Sequence, residues 1–144
     1  MSKLLVTYQT FYGSTKTLAE AVAEGAKQAG AQVTIKLASD TNLEDMINAD
    51  AIVLATTNSF GSISADAKKL FERTWKDREK VGKNKPFGAV ISHTTDTSEA
   101  VKFLENYPAK FGMVKKADWL IVKAGQAEAA KPKCRELGAS LAKS

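Results

Sequence analysis

The sequence predicts an α/β domain in which helices cover both faces of a parallel sheet, and three observations carry that prediction. Short apolar runs that read as strands alternate with amphipathic helical patterns along the whole chain. The middle runs, Ala51-Ile52-Val53-Leu54-Ala55 and the stretch 87–92, are buried runs without polar alternation, the mark of strands covered on both faces. No repeat, low-complexity tract or linker breaks the order βαβαβαβαβα, so the 144 residues read as one domain. Right-handed crossovers then imply a doubly wound, three-layer sandwich with a five-stranded parallel sheet in the order 2-1-3-4-5.

The first strand spans 3–8. The first helix spans 15–29, with Leu18, Ala21, Val22, Gly25, Ala26 and Ala29 on one face and Gly30 as its stop. That face is small enough to lie close to the sheet. A helical glycine costs about 1 kcal/mol against alanine, so Gly25 implies a packing reason. Strand two, 32–37, alternates Val33, Ile35 and Leu37, as an edge strand with one buried face does. A short helix over 42–48 leads to strand three at 51–55. Ser64 is the N-cap of the third helix, with Asp66 in its first turn and Ala67, Leu70, Phe71 and Thr74 on one face. The following run 75–85, WKDREKVGKNK, reads as charged and solvated. Strand four covers 87–92. Asp96 and Glu99 form a capping box for helix four, which buries Ala100, Phe103 and Leu104 and stops before Pro108. Strand five covers 119–123, and the last helix starts near Pro132 with Cys134, Leu137 and Leu141 inward.

Composition narrows the function classes. An apolar share of 44% and a charged share of 26% are those of an ordinary globular domain. No apolar run approaches ~18 residues and the N-terminus lacks a signal-peptide core, so the expectation is a cytoplasmic protein without a membrane span. The single cysteine, Cys134, reads as core and makes no internal disulfide, and no Cys/His metal pattern is present. The net charge of +5 reads mainly as solvated lysine, because no nucleic-acid-binding motif accompanies it.

The chemistry concentrates in TYQTFYGSTKT, residues 7–17, where strand one runs into the first helix. Thr10, Ser14 and Thr15 place hydroxyls around Gly13, and the helix's first-turn amides have no partners within the helix. One helix terminus is worth roughly 0.3–1 kcal/mol to an anion. Each hydrogen bond to a charged group adds about 1.5–3 kcal/mol, so the donors would carry most of the binding. A phosphate uses more of them than a carboxylate. The loop has one glycine, too few for GxxxxGK[ST] or GxGxxG, which leaves a monophosphate held by hydroxyls. Plain N-capping by Ser and Thr is the alternative reading.

VTYQTFYGSTKTLAEAVAEG resembles the FMN-phosphate loop of flavodoxins and of the related flavodoxin-like NAD(P)H:quinone oxidoreductases, where a strand ending in Tyr precedes [ST]-x-x-G-[NHS]-T. Tyr8, Thr10, Gly13, Ser14 and Thr15 match. ATTNSFGSISADAKKLFERT resembles the family's second loop and helix, like TPTxFGxxSxxMKxFxDRT, with Phe60, Gly61, Ser64, Lys68, Phe71, Arg73 and Thr74 in register. This chain departs from the pattern at Thr57, where proline is usual, and at Ser59, where the quinone-reductase branch has arginine. Its third loop, SHTTDT over 92–97, stands where glycine-rich segments are common.

The resemblance implies a flavodoxin-like fold and bound FMN. Its phosphate is expected on Thr10, Ser14, Thr15 and the amides of Phe11, Tyr12 and Gly13. The ring is expected between a second loop containing Thr57, Asn58, Ser59, Phe60 and Gly61 and a third containing Ser92, His93 and Thr94. Phe60 is the candidate aromatic wall. Gly61 is either a peptide that turns toward the ring or a simple turn glycine. His93 is a ring contact, a proton donor to a two-electron acceptor, or a hydrogen-bonded structural group. The favoured function is a small electron-transfer protein, a monomer or weak oligomer whose basic surface suits acidic redox partners such as ferredoxin-like proteins. The alternatives are an FMN-dependent NAD(P)H:quinone oxidoreductase and a flavodoxin-like module with weak or no flavin binding.

Overall fold

The computed structural model describes residues 2–10, 13–59 and 62–144. The chain runs β1 (Lys3–Tyr8), α1 (Ser14–Gln28), β2 (Gln32–Leu37), α2 (Leu43–Asn48), β3 (Ala51–Ser59) and β4 (Ser62–Ile63). It continues through α3 (Ala65–Thr74), β5 (Lys85–His93), α4 (Ser98–Asn106), β6 (Met113–Lys115), β7 (Leu120–Lys123) and α5 (Ala127–Ala142). Helices α1 and α5 cover one face of a parallel sheet, and α2, α3 and α4 the other, which makes the expected three-layer sandwich. No helix among the described residues is long and apolar enough to cross a membrane.

The sheet corrects the expected five strands in order 2-1-3-4-5. Among the described residues there are seven strands, and the main path is β2-β1-β3-β5 with the last position divided between two strands. β6 pairs with the start of β5, Lys85–Phe87, and β7 with its end, Val90–His93. The short β4 turns back antiparallel on the end of β3. Two- and three-residue strands are too brief to leave a period in the sequence.

The uniformly apolar β3 alternates once it is placed in the sheet. Ala51, Val53 and Ala55 face the α1/α5 layer, while Ile52 and Leu54 face the α2/α3/α4 layer. Gly25 has the expected packing reason, but its neighbour is a helix and not the sheet. A Cβ on Gly25 would run into the Arg135 carbonyl of α5, and one on Gly138 into the Val22 carbonyl of α1. The two helices therefore cross with their backbones in contact.

Other expectations shift. Ile35 and Leu37 on β2 are 37% and 38% exposed, because α1 covers only Val33 of the alternating set. Asn42 lies just outside α2 and caps it reciprocally with Asp45. At α4 the expected Asp96/Glu99 box is absent. Thr97 holds the N-cap position, and the Asp96 carboxylate accepts from the amide and hydroxyl of Ser98. Those bonds hold the Asp96 carboxyl below its usual range. Phe103 is only partly buried. α5 begins at Ala127, so Pro132 sits inside the helix instead of opening it. The 75–85 run is not wholly solvated. Val81 and Lys85 are buried, and Lys85 Nζ donates to the carbonyls of Met46 and Ile47 at 2.6 and 3.1 Å, satisfying the end of α2.

Candidate functional site

The C-terminal ends of β1, β3 and β5 bring three loops to one edge of the sheet. The first is built around the start of α1. Gly13 occupies the N-cap position at φ 90°, a left-handed conformation that suits glycine, and nothing lies within 4 Å of where its Cβ would stand. The Thr10 hydroxyl accepts from the Gly13 amide at 2.7 Å and so keeps its own proton for another acceptor. Among the described residues no side chain caps α1, and its first turn holds no acidic residue. Thr15 has no exposure, and its hydroxyl is buried without a partner among the described residues. A positive helix end, free of carboxylates, thus carries an unused donor.

The second and third loops are tied to each other and to the first. The Thr56 hydroxyl donates to Ser64 Oγ and accepts from the Ser64 amide, both at 3.1 Å, while Ser64 Oγ caps α3 through the Ala67 amide. This ties β3 to the start of α3. Thr57 Oγ1 donates to Gln9 Oε1 at 3.2 Å, and the Gln9 amide donates to the Ala55 carbonyl, which joins the second loop to the end of β1. Asn58 Nδ2 donates to Thr95 Oγ1 at 3.2 Å and to the Asp96 carbonyl at 3.0 Å. A carbonyl only accepts, so the Asn58 amide orientation is set, and its Oδ1 is left buried with no partner among the described residues. His93 Nδ1 lies 3.0 Å from the Thr95 carbonyl. It must donate there, and in the neutral ring Nε2 is the free acceptor.

A family model for flavodoxin matches residues 6–138. The chain belongs to the flavodoxin family. Its sequence is 40% identical over 93 residues to an NAD(P)H dehydrogenase (quinone) of Cupriavidus metallidurans, covering 51% of this chain and 47% of that protein. It is 37% identical over 73 residues to a flavodoxin of Aquifex aeolicus, covering 50% of this chain and 40% of that one. The solved structure of a flavodoxin from the domain Archaea superposes with a TM-score of 0.87 at 21% identity, covering 98% of this chain and 96% of that chain, a likeness of fold. This chain spans about half the length of the quinone dehydrogenases it matches. Flavodoxin membership supports a flavin-binding redox protein.

Within this flavodoxin-family chain the structure brings together Thr10 and Gly13 before α1, Ser14 and Thr15 in its first turn, Thr57 and Asn58, which the sequence put in a loop but which lie at the end of β3, and Ser92 and His93 at the end of β5 with Thr94 just beyond it. Ser59 pairs with Ser62 through the backbone. Phe11, Tyr12, Phe60 and Gly61 lie outside the described residues. Three motif residues are supports. Phe71 is core, Thr74 donates to the Leu70 carbonyl, and Arg73 Nη2 donates to the Ala38 and Thr41 carbonyls. Sequence reasoning gave Gln9, Thr95 and Asp96 no part in tying the loops together. Their partners stand 48, 37 and 38 positions away, beyond any local pattern.

Proposed function

We propose that this chain binds FMN at the loops after β1, β3 and β5 and acts as a small electron-transfer protein between redox partners. The Thr15 hydroxyl carries the reading. A buried polar group left without a partner costs about 1–3 kcal/mol, whereas a hydrogen bond to a charged phosphate contributes about 1.5–3 kcal/mol. The open space beside Gly13, the spare proton on Thr10 and the carboxylate-free start of α1 all suit the same group. The donor set therefore fits a phosphomonoester.

FMN, when bound, supplies one- and two-electron chemistry through its isoalloxazine ring. The protein holds and orients it. Thr10, Ser14 and Thr15 offer hydroxyls to the phosphate. Asn58 Oδ1 offers an acceptor for the ring's imide N–H, and its Nδ2 keeps the second and third loops at one separation. His93 offers Nε2 as a proton acceptor at the third loop.

Titration of the protein with FMN, followed by quenching of flavin fluorescence, tests this. Uptake is expected with one site per chain. Thr10→Ala combined with Thr15→Val is expected to weaken binding at least about tenfold, the equivalent of one such hydrogen bond. No uptake, or unchanged affinity in the double variant, removes the reading. A second reading, an NAD(P)H:quinone oxidoreductase, is favoured by the names of relatives that are 31–40% identical over part of the chain. Rapid NADH or NADPH consumption with a quinone would favour it. Stepwise one-electron reduction without pyridine-nucleotide oxidation would favour the carrier.

A further inference from the structure

The sheet ends on β7, whose described backbone pairing is to β5 on one side. Between its outer edge and α5 lies a groove of about 530 Å³, lined by Trp119, Leu120, Ile121, Lys123, Ala130 and Lys133 among others, with no carboxylate in its wall. Ile121 is 47% exposed. An edge strand offers a row of free backbone donors and acceptors, and a groove between such an edge and a helix is the shape that receives an extended peptide as an added strand.

Charge selects the occupant. Among the described residues, Lys115 and Lys131 are paired with Glu105 and Glu128, but Lys123 and Lys133 have no ion-pair partner. A second copy of this chain, placed edge to edge, would bring the unpaired lysines of both copies to one seam, a like-charge contact that edge lysines characteristically prevent. At the opposite edge Lys36 is paired with Asp45, so its charge is already compensated. Position matters as well. Lys123 lies in register with His93, and the Ala124 amide donates to the His93 carbonyl at 2.7 Å, so the C-terminal end of β7 abuts the third loop of the candidate site.

We propose that the outer edge of β7, with the adjoining face of α5, docks an extended acidic segment of a partner protein, which lies along β7 as a further strand between Lys123 and Lys133. The segment pairs its backbone with β7, covers Ile121 and the apolar stem of Lys123 on the face those two residues share, and turns its carboxylates to the α5 side against Lys133, with the Lys123 charge adding to the attraction at the end of the strand. That the partner is a redox protein rests on the flavin reading; the preference for an acidic strand does not.

The test uses the full chain, with and without FMN, and a ten-residue peptide of alternating valine and glutamate. The expected result is a set of amide shifts confined to residues 119–133, with slowed amide exchange along β7. Changing Lys123→Glu and Lys133→Glu together is expected to weaken binding at least tenfold and to favour the peptide in which lysine replaces glutamate. FMN uptake is expected to be unchanged in that variant. Absence of binding, shifts elsewhere, equal response to the lysine peptide, or equal binding of an acidic peptide with prolines at alternate positions would overturn the proposal. So would self-association of the unliganded protein through β7. If the peptide binds but FMN does not, the docking edge stands and only its redox role falls.

Discussion

The α1/α5 face of the sheet is made mostly of alanine and valine, and the α2/α3/α4 face mostly of leucine, isoleucine and phenylalanine. Val6, Ala51, Val53, Ala55 and Val90 meet Leu18, Ala19, Val22 and Ala26 on the first. On the second, Leu5, Ile52, Leu54, Phe87 and Ile91 meet Leu70, Phe71 and Phe111. Aromatic rings there pack edge to face, Phe71 with Phe111 at 5.3 Å and Trp75 with Phe111 at 5.7 Å. The two faces hold their helices by different means. The small face brings α1 and α5 to backbone contact at Gly25 and Gly138, so the path of α1, and with it the position of Gly13 and Thr15, is set by what cannot fit. The large face fills volume with dispersion contacts, so it is sensitive to what is taken away.

The largest expected effect comes from deleting bulk on the aromatic face. Phe111→Ala should cost about 3–5 kcal/mol, measured as a drop in the urea midpoint at constant slope. A loss under 1 kcal/mol would mean that this face collapses around cavities. On the small face the informative change adds bulk. Gly138→Ala removes a helix glycine, worth up to about 1 kcal/mol in propensity, yet should lose about 1–3 kcal/mol net, because its new methyl meets the Val22 carbonyl, a backbone atom. The same variant should weaken FMN uptake by displacing α1, and a stabilised Gly138→Ala would break the contrast between the faces.

Smaller still is the stability effect of Thr15→Val, which removes an unpartnered buried hydroxyl at nearly constant shape. Its urea midpoint should stay level or rise by up to about 1 kcal/mol while FMN affinity falls. The smallest differences at neutral pH come from one buried titratable group on each face. Burial pushes the Cys134 thiol from 9.0 up to about 11, opposed by the Arg135 charge. The folded state therefore holds this proton longer, and its contribution to stability declines as pH rises from about 9 toward 11. Burial lowers Lys85 from 10.5, opposed by the Asp50 charge, so the unfolded chain holds that proton longer and the Lys85 contribution rises as pH climbs toward 10.5. Alkaline urea titrations of Cys134→Ala and Lys85→Met should therefore depart from the parent in opposite directions, and parallel profiles would refute the assignment.

Much of the scaffold was legible because its signals are local. The expected bounds of the first two strands, 3–8 and 32–37, match β1 and β2, and Ser64 caps α3 as its position before an apolar helix pattern implied. The loop between β1 and α1 could be read as an anion site because hydroxyls, a glycine and a helix start stand within six consecutive residues. The end of the sheet was less legible. Strands as short as β4 and β6 exist only by pairing with β3 and β5, and the Ala-rich start of α5 overrode the boundary that Pro132 suggested.

The amino-acid order by itself determined the layers, the longer helices and strands and the place of the loop proposed to hold a phosphate, since each depends on neighbours within a turn or a strand. Tertiary structure alone decided that Thr15 is buried without a partner among the described residues, that Asn58 fastens the second loop to the third, and that Lys85 ends α2. Those facts belong to atoms tens of residues apart, and a hydrogen bond across such a separation leaves no period in the chain to read. It exists only once packing has brought both partners into one place.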